Sequence, residues 1–240
     1  MSKQARINIH TVPGVPPRGQ VLRRGQQLVA VVLAVAALGG CSRVPGVLTY
    51  VSADAKASSA AGEEGPFKAK AYVDKAWDDK ILPTVADKAV DLPTLLKAVA
   101  SDKEAAGKQY GHQSGTGSPF AFLTRVTGTV TDVDTSAPQR PMTLRVAGVP
   151  GGTTVQVVTG QVIAGTALRD AVGFISFSDF TNQLDYADVA TELNTRVKKD
   201  VLAGLQPAQL KGKQVTVEGA FSLITPQALL IIPTQVEAAP

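Results

Sequence analysis

Apolar residues recur at two different spacings along this chain, and the change of spacing divides it. Val73, Trp77 and Ile81 stand four apart with Asp74, Lys75, Asp78, Asp79 and Lys80 between them, which predicts a helix with one apolar and one charged face. Pro83 is expected to end or kink that helix. Asp91 is a candidate N-cap with Pro93 in the first turn, and Leu92, Leu95, Leu96 and Val99 form the next buried stripe. Asp102 to Tyr110 predicts a third short helix ending at Gly111. Trp77, on such a stripe, reads as a packing residue rather than a ligand-stacking one.

Beyond the Gly-rich loop at Gly115 to Pro119 the period falls to two. Phe120, Phe122, Val126, Gly128 and Val130 face one way and Thr127, Thr129 and Thr131 the other, the pattern of a half-buried strand. Met142, Leu144 and Val146 alternate likewise, and Val155 and Val157 follow the turn at Pro150-Gly151-Gly152. A helical stripe then runs through Tyr186, Ala190, Leu193, Val197 and Val201, with Glu192 placed to pair with Arg196 and Gly204 beyond the end. Val215, Val217, Gly219, Phe221 and Leu223 resume the alternation, and Leu229 to Ile232 predict a last, more buried strand.

Three strands, a helix and two strands is the order of a five-stranded OB-like barrel. Gly128 and Gly219, each within a long strand, suit the bends or bulges that closing a small barrel requires. An open sheet with the helix on one face has the same periodicities. The expected class is α+β: N-terminal helices, then an OB-like five-stranded β-barrel with a helix between strands three and four.

The segment from Gly165 to Tyr186 fits neither period. It is too long for a barrel turn, too apolar for a plain surface loop, and it mixes hydrogen-bonding side chains with aromatics, as a site for a small polar ligand does. Thr166, Arg169, Asp170, Asn182, Gln183 and Tyr186 are the candidate binding residues. The alternative is a structural lid in which Phe174, Phe177 and Phe180 plug the barrel while Arg169, Asp170 and Asn182 satisfy backbone groups at its rim.

Ahead of the folded part, Leu28 to Leu38 contains only Leu, Val and Ala, follows Arg23-Arg24, and leads into Gly39-Gly40-Cys41. An apolar run of this length is short of the ~20 residues that a spanning helix needs, and its basic flank and small-residue end are those of a secretory signal. A Leu-x-Gly-Cys ending marks a bacterial lipidation site, so residues 1–40 are expected to be a lipoprotein signal peptide and Cys41 the acylated N-terminus. The Pro-rich stretch before Val21 is long for a signal, and Val15 and Val21 are alternative starts. Residues 41–66, rich in Ala, Ser and Gly, read as a flexible tether with a root-mean-square reach of roughly 25 to 30 Å. Residues 67–240 are expected to be one folded domain, 67–115 helical and 116–240 the barrel.

The signal changes the charge balance. Five of the 24 basic residues precede Cys41 and no acidic residue does, so the exported part has 19 basic against 20 acidic residues, a formal charge of −1 rather than +4. Nucleic-acid binding needs a basic surface, and no nucleic-acid partner is expected. With Cys41 acylated no thiol remains for a disulfide or a thiolate metal site, and His112 is the one histidine after it. No cofactor and no metal are expected, and His112, in a Gly/Ser-rich turn, reads as a solvated loop residue.

Four motifs resemble a known family: Tyr72-Val73-Asp74 with Trp77 and Ile81-Leu82-Pro83; Ala89-Val90-Asp91-Leu92; Gly165 to Asp170 continuing to Phe180-Thr181-Asn182-Gln183; and Leu210-Lys211-Gly212-Lys213 ahead of Gly219-Ala220-Phe221. In order and spacing they are similar to the bacterial predicted periplasmic lipoproteins, a domain of unknown function, from about Phe67 to Val236. The resemblance implies an accessory envelope role, often beside sugar ABC transporters of the ribose type, and brings no catalytic residues. Two functions follow. One is a lipid-anchored cell-envelope accessory or binding protein facing the periplasm, with the membrane and ABC transporter components as partners. The other is an envelope hydrolase using Asp170, Asp179 or Asp185 as acid and base, though no Gly-x-Ser-x-Gly element is present. The first, a non-enzyme, is the expected one.

Overall fold

The computed structural model describes residues 66–238; the signal stretch, Cys41 and the tether through residue 65 lie outside the described residues. Helix α1 (Ala69–Ala76) runs through a π-helical turn at Trp77–Ile81 into α2 (Leu82–Lys88). Pro83 does not end the helix. The wider π turn lies just before it, with Leu82 N–H bonded to the Trp77 carbonyl, and the proline takes a first-turn position of α2, where a missing N–H costs little. A two-residue strand, β1 (Val90–Asp91), follows. Helix α3 (Leu92–Ser101) is capped by Asp91, whose carboxylate accepts from Thr94 N at 3.3 Å, and α4 (Lys103–Tyr110) by Asp102, which accepts from Ala105 N at 3.0 Å. A second short strand, β2 (Gly111–His112), ends this part.

The long strands are β3 (Ala121–Val133), β4 (Met142–Arg145), β5 (Thr154–Val157), β6 (Gln214–Ser222) and β7 (Ala228–Ala238). β3 is long enough to pair with β6 from Ala121 to Thr129 and with β4 from Thr129 to Val133, so the order β3-β4-β5-β7-β6 closes back on β3. Every neighbouring pair is antiparallel except β5 with β7. The sheet is thus a closed OB-type barrel, with β1 (parallel) and β2 (antiparallel) added to β3.

Alternation fills the bore. Phe122, Val126, Val130, Met142, Leu144, Val155, Val157, Val215, Val217, Phe221, Leu229 and Ile231 are all buried in one cluster, and the Phe122 and Phe221 rings stack at 5.6 Å. Leu92, Leu95, Leu96 and Val99 of α3 join that cluster beside Phe120. Gly219 stands where the β6–β7 register shifts, and a Cβ there would overlap the Ile232 carbonyl oxygen. At Gly128 the structure shows a close approach instead, a Cβ falling 2.7 Å from the Arg145 carbonyl oxygen, while the β3–β4 shift lies between Val130 and Asp132.

The barrel's outside carries a second core. Ala121, Leu123, Ala220 and Ile232 point outward and pack with Val73, Trp77, Ile81 and Val85, with α5 (Ala167–Ala171) through Leu168, and with α6 (Gln183–Val197) through Val189, Leu193 and Val197. The small Ala121 and Ala220 let the helices come close. Trp77, 2% exposed, is a core residue of this layer. Glu192 does not pair with Arg196; Arg196 instead reaches Asp74 at 2.8 Å and Asp78 at 3.7 Å, besides Asp200 on its own side. Several carboxylates gathered by helix packing outweigh one neighbour four residues back, which alone is worth only ~0.3–0.5 kcal/mol.

Candidate functional site

The 165–186 segment is built from short, self-capped pieces. After α5, a 3₁₀ turn at Phe177–Asp179 is held by a reciprocal capping box between Ser176 and Asp179, and Asn182 caps α6 by accepting from Asp185 N at 2.9 Å. Asn182 Nδ2 also donates to Asp185 Oδ2 at 2.9 Å. Each loop group therefore finds its partner within a few residues.

Of the six candidate residues, four converge. Arg169 and Asp170 are helix neighbours, whose side chains leave the axis about 100° apart, so the long arginine folds back to meet the carboxylate. Its Nη2 and Nε lie 2.7 and 2.9 Å from Asp170 Oδ1, and its Nη1 donates to the Tyr186 carbonyl at 3.1 Å. The guanidinium carbon sits 3.5 Å from the centre of the Tyr186 ring. The Thr166 hydroxyl donates to Asp170 Oδ2 at 2.6 Å, and the Tyr186 hydroxyl lies 3.4 Å from Oδ1. Arg169 is only 6% exposed, so its donor fork is spent inside the chain. Burial pushes the Tyr186 phenol above its ordinary range; Arg169 pulls it back and Asp170 raises it further. Asn182 and Gln183 stand apart, exposed at the start of α6.

Phe174, Phe177 and Phe180 do not plug the barrel, whose bore is already filled by its own strands and α3. Phe174 and Phe177 are 36% and 49% exposed. Phe180 instead continues an aromatic row: Phe67 to Phe180 at 5.3 Å, Tyr72 to Phe180 at 5.8 Å, Phe180 to Tyr186 at 5.5 Å and Phe177 to Tyr186 at 5.7 Å. Burial, with Asp179 nearby, raises the Tyr72 phenol as well.

Cavities of about 280 to 640 Å³ open on the described residues, and none of these four is lined by Arg169, Asn182 or Tyr186. The largest, a shallow groove, runs between Tyr72, Pro83, Lys88 and Phe174. Another gathers Lys88, Lys108 and His112, which sequence reasoning left unconnected. His112 is not a loop residue: it pairs with Ala121 in β2, and its imidazole lies against Gly173, whose φ of 75° and missing Cβ make room for it. Partial burial and the Lys88 ammonium hold its pKa below the ordinary value. Two-residue strands carry no periodic signal, so nothing in the pattern placed these residues together. Among the described residues no three His, Cys, Asp or Glu side chains gather as a metal site would need, and no helix is long and apolar enough to cross a membrane.

The described residues define a closed OB-type barrel with a helical layer packed outside it. The chain belongs to the family described as predicted periplasmic lipoprotein (DUF2291), whose pattern matches residues 31–237 and so takes in Cys41. It is a lipoprotein of the cell envelope, lipid-anchored and facing the periplasm. The fold is similar to the crystal structure of an OB-fold protein from Thermotoga maritima, with TM-score 0.58 and 19% identity over 72% of this chain and 99% of that one. No curated protein matches the chain.

Proposed function

We propose that this protein is a non-catalytic accessory module, acylated at Cys41, that docks a partner in the envelope through the aromatic edge of the 165–186 segment. The observation that carries the reading is the contrast within that segment. Thr166, Arg169, Asp170 and Tyr186 form an internally satisfied scaffold, while Phe174, Phe177 and Leu184 remain 36%, 49% and 70% exposed, and Phe174 lines a groove of about 640 Å³. Exposed apolar side chains on a rigid support are what a protein interface uses as anchors. Asn182 and Gln183 supply polar groups at its rim.

A partner of the sugar ABC transporter type accords with the resemblance drawn from the sequence. A hydrolase has less support, since its candidate carboxylates are engaged: Asp170 by Arg169 and Thr166, Asp179 by the Ser176 backbone, Asp185 by Asn182. The test is affinity purification of the lipidated protein from cross-linked cells. A transporter subunit recovered with the native chain and lost with Phe174→Ser/Phe177→Ser supports the proposal; the same proteins recovered with both chains refute it.

A further inference from the structure

We infer that the cavity of about 350 Å³ where α2, α4 and β2 meet binds a small molecule bearing a tetrahedral oxyanion of the phosphate class, held by Lys88, Lys108 and His112. The site is separate from the aromatic edge, sharing with its groove only Lys88.

The cavity follows from the topology. β1 and β2 lie end to end along one side of β3, Val90 opposite Thr124 and Gly111 opposite Phe122, and the helices before each strand end at the same place. Leu123 and Ala171 give it an apolar floor, and Gln109 and Tyr110 add hydrogen-bonding groups at the wall. No carboxylate lines it. Among the described residues neither lysine makes an ion pair, as is true of every described lysine except Lys70 and Lys211.

Lysine in a helix's last turn has an ordinary explanation, because it offsets the partial negative charge of the C-terminus. That charge is about half an electron per helix, so two ammonium groups overcompensate two helix ends by roughly one unit. Burial, and after it the Lys88 ammonium, disfavours protonation of His112. Of the charged groups on the surrounding elements, Asp170 is bonded to Arg169, Glu218 to Arg125, and Asp91 caps α3. Glu104 lines a different cavity, and Asp79 and Asp87 line the neighbouring groove that Lys88 also borders, so no carboxylate faces Lys108 and His112 within the cavity. An anion entering would relieve the repulsion and allow His112 to take up a proton. Ammonium groups act as point charges without the planar fork that matches a carboxylate, which favours a compact tetrahedral oxyanion. The volume lies within the range of small-ligand pockets.

The probes are sulfate and inorganic phosphate, titrated calorimetrically into the full lipidated chain in detergent at constant ionic strength. Saturable binding is expected, weakened at least tenfold by Lys88→Gln or Lys108→Gln and lost in the double variant, with melting temperature unchanged because both side chains are exposed. Sulfate keeps its charge between pH 6 and 8, so tighter sulfate binding at pH 6 that becomes pH-independent in His112→Gln is also expected; a pH-independent native affinity overturns the place of His112 in the site. A second arm floats the Cys41→Ser chain with phosphatidylglycerol vesicles. Free-ion binding lost in the double variant assigns a soluble ligand, and vesicle binding lost in that variant assigns a lipid headgroup. If neither occurs, or the double variant binds as the native chain does, the inference is overturned.

Discussion

Replacing Arg169 by alanine separates a structural arginine from a ligand-binding one. The native side chain is 7% exposed and its partner Asp170 8%. The substitution leaves a buried carboxylate with only the Thr166 and Tyr186 hydroxyls, at 2.6 and 3.4 Å, and takes the guanidinium from the face of the Tyr186 ring. Breaking a buried pair from one side costs about 3–5 kcal/mol, and the surviving Thr166 bond places this case near 3. For a domain of this size each kcal/mol shifts the melting midpoint by roughly 2–4 °C, so a fall of about 6–12 °C is expected by circular dichroism. Arg169→Met/Asp170→Asn, which removes the stranded charge, should recover part of it. A fall of less than about 3 °C for Arg169→Ala would refute the scaffold reading and return Arg169 to the ligand-binding role its sequence context suggests.

Cys41→Ser is expected to move the protein from membranes to the soluble fraction without changing its melting curve; sedimentation with salt-washed membranes would contradict lipidation there, since stable anchoring depends on acyl chains. Gly219→Val forces a side chain into the Ile232 carbonyl and within 2.9 Å of Pro233 Cα, backbone that cannot yield, and should cost about 3 kcal/mol or more, read as a lower denaturant midpoint. Because the folded-state pKa of Tyr186 is raised, the neutral phenol's contribution is fully present below its unfolded value near 10 and is lost as pH rises through the folded value. Denaturant midpoints should therefore decline above about pH 10, and Tyr186→Phe should make that decline shallower.

The barrel was legible because every long strand buries one face, so Phe122, Val126, Val130 and their counterparts print a period of two on the sequence. The cap at Asp91 was legible for a similar reason, since a cap is satisfied within four residues, whereas the capping role of Asn182 was not read from the sequence. What escaped was set by distant packing. Asp74 and Asp78, which pair with Arg196, come from α1 and the π turn after it, more than a hundred residues away. β1 and β2 exist only because the β3 edge is there to pair with them, and that pairing turns His112 from a loop residue into one wall of a cavity. In the 165–186 segment the residues that would gather were largely visible, but burial was not: Arg169 reads the same in sequence whether its fork faces a ligand or Asp170.

The central claim, that a lipid-anchored barrel presents the 165–186 aromatic edge to a partner, is tested most directly by photo-crosslinking in intact cells. A photoreactive phenylalanine analogue is placed at Phe177 and, as a control, at Ile224, which is 76% exposed in the turn between β6 and β7. The account predicts a discrete adduct with one membrane-transport component from position 177, dependent on Cys41, and none from position 224. Adducts of equal yield from both positions, or from 177 in the Cys41→Ser chain, would contradict it.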